Sequence, residues 1–218
     1  MNAGGSTVAG QRPRLAVHDP RAPGLSLRDA FLIFTRQRSA RIIAALLVVT
    51  LTLRLAAGRW SGWDAAVLVA LLALHPFTEW VIHVGILHWK PRRLGRLTID
   101  TDLAREHRLH HLAPHDPRHW YTPMRGALVG FAISSAVVGL IAPTLALWLS
   151  FLVGVVAIGL VYEWTHYLCH TSYRPRGKHY RRLWRHHRLH HFKNEHYWMG
   201  VTMHLGDRLL GTQPSPKD

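Results

Sequence analysis

The chain has 218 residues, enough for one domain, and combines 48% hydrophobic residues with a formal net charge of +15. Soluble enzymes rarely combine these two properties, so the charge points to either nucleic acid or an anionic membrane surface. The single cysteine, Cys169, excludes an intramolecular disulfide framework.

The two ends of the chain are expected to lie outside the main domain. Residues 1–24 are rich in Gly, Pro, Ala and Arg and contain no apolar signal segment, so they predict a disordered cytoplasmic tail. Ser26, with Asp29 three residues later, resembles a capped helix start, and residues 25–41 predict an amphipathic helix at the membrane interface. Residues 213–218 predict a second flexible tail.

Four apolar segments follow, at residues 42–57, 65–87, 126–142 and 144–162. Their lengths approach the roughly 20 residues needed to cross a bilayer. Only Pro143 separates the last two, so full crossing and partial insertion as a hairpin both stay open. Arg54, near the end of the first segment, is expected to extend to the interface. The predicted fold class is all-α: an integral membrane helical domain over 42–212.

The basic residues alternate along these segments. Seven Lys and Arg precede the first segment, one follows it, eight follow the second, none separates the last two, and ten follow the fourth. This is the positive-inside pattern for four spans with both termini in the cytoplasm, in a bacterial inner membrane or the endoplasmic reticulum. The pattern accounts for the net charge, so nucleic acid is not expected as a partner.

The spacing of the histidines indicates a metal site. The pentad His-Arg-Leu-His-His occurs at 107–111 and again at 187–191, and offsets of three and four place its imidazoles on one helix face. His166 and His170 are also four apart. The predicted topology gathers these residues into a cytoplasmic, histidine-rich helical cap. Ten histidines are therefore candidate metal ligands: His83, His88, His107, His110, His111, His166, His170, His187, His190 and His191.

His83 and His88 fit this scheme less well than the others. Five residues turn an ideal helix by roughly 500°, which leaves the two side chains about 140° apart around the axis. The pair therefore requires a helix end, a π-bulge or two different metals.

The ligand type and number indicate a catalytic metal site. Imidazole suits iron, zinc and copper, and one cysteine is too few for a thiolate-based structural zinc site. Ten nitrogen ligands suit two metals with positions left for oxygen or water. Glu79 and Glu163 precede histidine ligands by four and three residues, so they are expected to hold imidazole tautomers or to pair with a nearby Arg. Further candidates for supporting roles are His115, His186, His204 and Asp207.

From about Glu79 to Thr212, these motifs resemble the fatty acid hydroxylase superfamily of integral membrane di-iron enzymes, relatives of sterol desaturases. The fatty acid 2-hydroxylase branch is the most similar. Its motifs appear here as HxxxxH, HxxHH, HxxxH and HxxHH, joined by Ala113-Pro-His-Asp116, Tyr121-Thr-Pro-Met124, Gly200-Val-Thr202 and Asp207-Arg-Leu-Leu-Gly-Thr212. His204 and Gly206 depart from the pattern that the family leads us to expect.

The resemblance implies two iron ions, with zinc as an alternative occupant, and O2 as co-substrate for hydroxylation of a lipid acyl chain. It also implies an external electron donor of the cytochrome b5 or ferredoxin type, which we do not expect to be fused to this chain. A sterol or carotenoid hydroxylase or desaturase would use the same motifs. A membrane metal-binding or transport protein is the non-enzymatic alternative, disfavoured because the histidines gather at one membrane face.

Overall fold

The computed structural model describes residues 19–214 as a mostly helical protein. The helices are α1 (Leu27–Phe34), α2 (Arg38–Ala57), α3 (Gly62–Ile82), α4 (Asp102–Leu112), α5 (Met124–Ile141), α6 (Leu145–His170), α7 (Lys178–Phe192) and α8 (Leu205–Leu209). A π-helical turn, His83–Leu87, continues α3, and a 3-10 turn, Pro117–His119, precedes α5. Most of the tail predicted over 1–24, and residues 215–218, lie outside the described residues.

Four helices, α2, α3, α5 and α6, are long and apolar enough to cross a membrane, which confirms the four predicted apolar segments. Helix α6 continues eight residues beyond the predicted end at 162. His166 and His170 therefore lie on its last turns, within the same helix as the fourth apolar segment. The helical hydrogen bonds continue because the ligand-bearing turns are themselves buried.

The amphipathic segment is shorter than predicted. One helix was expected over 25–41, but α1 ends at Phe34 and α2 begins at Arg38. Ser26 caps α1 by accepting a hydrogen bond from the backbone N–H of Asp29 at 3.1 Å. Phe34 is buried and packs against Trp164 of α6, with ring centroids 5.0 Å apart. One face of α1 is therefore docked on α6, while Leu27, Phe31 and Leu32 stay exposed.

A buried ion pair joins three helices at the end of the bundle remote from the histidines. Arg54 was expected to extend to the interface, and its side chain, which is 1% exposed, lies inside the protein at the end of α2. Its Nη2 lies 2.6 Å from Asp64 Oδ1 at the start of α3, and its Nε donates to Ser150 Oγ of α6 at 2.6 Å. A guanidinium that is paired with a carboxylate and hydrogen-bonded through all three of its nitrogens inside the protein has no need to extend to water.

One small sheet interrupts the helical chain between α3 and α4. Strands β1 (Arg92–Leu94) and β2 (Leu97–Ile99) pair antiparallel. Their two-residue turn begins at Gly95, whose φ of 61° is a conformation that favours glycine. The all-α prediction therefore holds for the described residues except in this hairpin.

The Arg54 network is open to a stability test. Ser150→Ala should cost about 1.5–3 kcal/mol, the usual worth of a hydrogen bond to a charged group. Arg54→Ala should cost more, because it leaves the Asp64 carboxylate without its counterion. Thermal unfolding in detergent measures both, with Arg41→Ala, at an exposed position of the same helix, as control. Equal melting temperatures for Arg54→Ala and Arg41→Ala would contradict this account.

Candidate metal centre

All ten histidines that were predicted as ligands converge in two groups. The first cluster contains His83, His88, His107, His111 and His190, and the second contains His110, His166, His170, His187 and His191. Within each cluster the candidate ligand nitrogens lie within 4.8 Å of one another. The clusters sit where α3 and α6 end, against α4 and α7.

Each pentad divides its histidines between the two clusters. The first and last histidines of the α4 pentad join the first cluster, but the middle one, His110, joins the second and lies 3.2 Å from His166, Nε2 to Nε2. In the α7 pentad, His190 crosses in the opposite direction and lies 3.3 Å from His88. On a helix, positions i+3 and i+4 point about 100° apart, so neighbouring histidines of one pentad face different clusters.

The π-helical turn resolves the spacing of His83 and His88. The backbone N–H of His88 donates to the carbonyl of His83 at 3.0 Å, a separation of five residues. This wider turn brings the two rings to 5.1 Å between centroids and places both in the first cluster. Of the three alternatives, the π-bulge is the one observed, and it places both histidines in the same cluster.

Backbone carbonyls set the tautomer of four imidazoles. The Nδ1–H groups of His83 and His166 donate to Met199 O at 2.5 Å and to Trp120 O at 3.0 Å. Two further bonds of the same kind are His170 to Pro114 O at 3.2 Å and His190 to Tyr197 O at 2.7 Å. A carbonyl oxygen only accepts, so Nδ1 carries the proton and Nε2 presents a lone pair to the cluster.

Burial keeps the imidazoles of α4 and α7 neutral. Desolvation and then the neighbouring imidazoles lower the pKa of His107, His187 and His190 far below the usual value. The same causes lower the pKa of His111 to about 3. Neutral imidazole is the form that binds a metal, so no proton has to be displaced at neutral pH.

These donors fit a metal ion in each cluster. Neighbouring Nε2 atoms are mostly 3.1–3.3 Å apart, as between His111 and His107 at 3.1 Å and between His83 and His107 at 3.2 Å. An ion that holds nitrogens at about 2.0–2.1 Å separates adjacent ones by roughly 3 Å. A cation between these nitrogens would bind all of their lone pairs at once, which offsets the cost of burying them away from water.

Glu79 and Glu163 were expected to hydrogen-bond to the imidazoles, but they bind the loops that carry the orienting carbonyls. Glu163 accepts hydrogen bonds from the backbone N–H and hydroxyl of Thr122, at 3.1 and 2.5 Å, two residues after the carbonyl that holds His166. Glu79 likewise accepts from the backbone N–H groups of Val201 and Thr202, at 3.1 and 2.9 Å. In the described residues neither carboxylate contacts a clustered imidazole or an arginine. Each one holds the loop whose carbonyl orients a ligand.

The remaining predicted supporting residues take different places. Asp207 accepts from the backbone N–H groups of Met199 and Gly200, both at 2.8 Å, and so steadies the carbonyl that orients His83. His186 and His204 pack on each other with ring centroids 4.1 Å apart. His115 stacks on Phe192 at 5.3 Å. Among the described contacts, none of these three histidines hydrogen-bonds to a clustered imidazole.

Sequence reasoning missed two kinds of contributor. The four carbonyl oxygens that orient imidazoles belong to the backbone and carry no side-chain signal. Glu195, whose Oε2 lies 3.5 Å from His111 Nδ1, was also missed. Its signal was an acidic residue four positions after the second pentad.

The comparisons with known proteins give a family and a similar fold. The family model for fatty acid hydroxylase matches residues 68–212, and the chain belongs to that family. The fold is similar to the structure titled full-length Scs7p, in which only the hydroxylase domain is visible, with a TM-score of 0.64 and 19% sequence identity. That similarity covers 86% of this chain and 68% of the other. No curated protein matches this chain in sequence.

The role of Glu163 can be tested by metal affinity. Glu163→Ala should weaken metal binding by about 10–100-fold, the usual effect of losing a residue that orients a ligand. Thr122→Val should have a smaller effect because its backbone N–H still reaches the carboxylate. Competition with a chelator measures both variants. Ser134→Ala is the control, since that hydroxyl donates to Phe131 O within α5. The role would be refuted if Glu163→Ala and Ser134→Ala bound metal equally.

The buried His204 predicts a pH dependence of stability. Burial and then the nearby charges of His186 and Arg182 lower its pKa to about 3, so below the unfolded value of 6.5 the unfolded chain takes up a proton that the folded chain does not. Stability is therefore lost as pH falls from about 6.5 to 3. The melting temperature of His204→Phe should therefore fall less over that pH range than the melting temperature of the wild type. An equal loss, or the same gain from His196→Phe at an exposed position, would contradict this.

Proposed function

We propose that this protein is a membrane-bound di-iron monooxygenase that hydroxylates a lipid acyl chain with O2 and electrons from an external donor. The observation that carries the proposal is the pair of all-imidazole clusters, each built from both pentads, in a chain of the fatty acid hydroxylase family. The similar fold of a hydroxylase domain supports it. Zinc is the alternative occupant, because the same donors suit it.

In this proposal the residues of the protein hold and orient the metal ligands, and the metals would supply the oxidation chemistry. Bound iron would supply the oxidation of an unactivated C–H bond by O2, which no side chain performs. Five neutral nitrogens in each cluster leave room for an oxygen ligand. The backbone carbonyls of Met199 and Trp120 hold the rings of His83 and His166 in one tautomer. These rings are buried, so bulk water is kept from the ligand nitrogens.

The position of the clusters favours a lipid substrate. The ligands on α3 and α6 lie at the ends of helices with the length and apolarity of membrane spans. Next to His83, the side chains of Ile82 and Ile86 are 46% and 40% exposed. An acyl chain that leaves the bilayer beside these residues could be stopped with one methylene near the metals.

The charge pattern supports the proposed orientation, and the family supports the proposed partners. The segment before α2 and the segments after α3 and α6 carry most of the basic residues, which supports a cytoplasmic location for both termini and the clusters. Electrons would come from a donor of the cytochrome b5 or ferredoxin type. A sterol or carotenoid substrate remains the alternative within the family. Metal transport is disfavoured because the clustered histidines occupy one end of the bundle.

Lipid analysis of a host that expresses the protein tests the proposal. Wild-type cells should contain a lipid species with one added oxygen atom, and His110→Ala cells should lack it because the second cluster has lost a ligand. His196→Ala is the matched control, since His196 is exposed and outside both clusters. Identical lipids from the wild type and His110→Ala, with stable expression and an available reductant, would contradict the proposal.

A further inference from the structure

The hairpin of β1 and β2 presents an apolar face that no part of the described chain covers. The register pairs Arg92 with Ile99 and Leu94 with Leu97, so these four side chains share one face, while Arg93 and Thr98 lie on the other. Leu94, Leu97 and Ile99, here named the apolar face, are 67%, 71% and 45% exposed.

Such a hairpin requires a surface to rest on. A two-stranded hairpin is marginally stable in water, and large aliphatic side chains that stand together in water oppose it further. The residues around the apolar face are strongly basic: Lys90, Arg92, Arg93 and Arg96. Residues 90–99 contain no acidic residue. A partner that suits the hairpin therefore has an apolar interior for the aliphatic side chains and an anionic surface for the basic ones.

We propose that the hairpin is seated on an anionic bilayer surface, with the apolar face at the boundary between acyl chains and headgroups. Continuity with α3 supports this occupant, because the candidate span ends at Leu87 and β1 begins only five residues later. Five residues reach at most about 18 Å, so the hairpin stays near the end of the span. Trp89 lies between them, where aromatic residues mark membrane interfaces. The basic side chains bind lipid phosphates.

Hydrogen bonds join the two ends of the hairpin to the helix that carries the first pentad. Arg108 of α4 donates from Nη1 to the carbonyl of Trp89 at 2.8 Å, just before β1. Its Nη2 donates to Asp100 Oδ2 at 2.7 Å, just after β2. Arg108 lies in the first pentad, whose histidines belong to both clusters. Seating the hairpin on lipid therefore fixes the height of α4, and of the metal centre, above the bilayer.

Site-directed spin labelling measures this seating. The sole cysteine, Cys169, is 1% exposed and is replaced by Ala. A single cysteine is then introduced as Leu94→Cys or, on the opposite face, as the matched control Thr98→Cys. Each protein is labelled and reconstituted in vesicles of phosphatidylcholine and phosphatidylglycerol. Collision with O2, which concentrates in the bilayer, is compared with collision with a water-soluble nickel chelate.

The label at 94 should have a several-fold higher ratio of O2 to nickel collisions than the label at 98. Equal nickel access at both positions would overturn the proposal. A label at 94 that is shielded from both reagents would indicate a protein partner or a second copy of the chain, and would also overturn it. Metal content equal to that of the unlabelled protein shows that each variant keeps its clusters intact.

The attraction between the basic residues and anionic headgroups can be tested separately. Omitting phosphatidylglycerol, or replacing Lys90, Arg92, Arg93 and Arg96 by Gln, should raise nickel access at position 94 by several-fold. The reason is that each basic residue near an anionic surface adds to the attraction. Unchanged access in both experiments would refute the contribution of anionic headgroups. Hydroxylation of lipid is not part of either measurement, so failure of the proposed reaction and failure of this seating are distinguishable.

Discussion

The structure depends on the convergence of unprotonated imidazole nitrogens in two buried spaces. Burial keeps the rings of α4 and α7 neutral, and backbone carbonyls fix four Nδ1 protons so that the Nε2 lone pairs point inward. Burying this many polar nitrogens away from water is costly unless each of them finds a partner. It becomes favourable when each cluster holds a metal, so folding of this end of the molecule and metal binding are expected to be coupled.

Each half of the chain supplies ligands and orienting carbonyls to histidines of the other half. Each pentad gives its middle histidine to the other cluster. The loop after α4 orients His166 on α6 and is held by Glu163, and the loop after α7 orients His83 on α3 and is held by Glu79. Neither half can complete a cluster alone. At the opposite end, where no metal site is found in the described residues, the ion pair of Arg54 holds the helices together.

Spacing in the sequence was enough to find the four apolar helices and the ten histidines that converge, because helical periodicity and hydropathy are local properties. The features that spacing could not predict depend on partners that are distant in the sequence. Arg54 is buried because Ser150, 96 residues later, and Asp64 meet it. The carboxylates of Glu79 and Glu163 were placed next to imidazoles, but they bind loops whose positions are set only by the packing of α4 and α7. The π-turn was one of three alternatives until the packing showed that His83 and His88 share a cluster.

The most direct test of two metal sites with crossed ligands is a crystallographic anomalous difference map of the purified protein at the iron absorption edge. The account predicts two peaks per chain, one bounded by the first cluster, including His190, and the other by the second, including His110. A single peak, or peaks whose neighbours are drawn from one pentad alone, would contradict it.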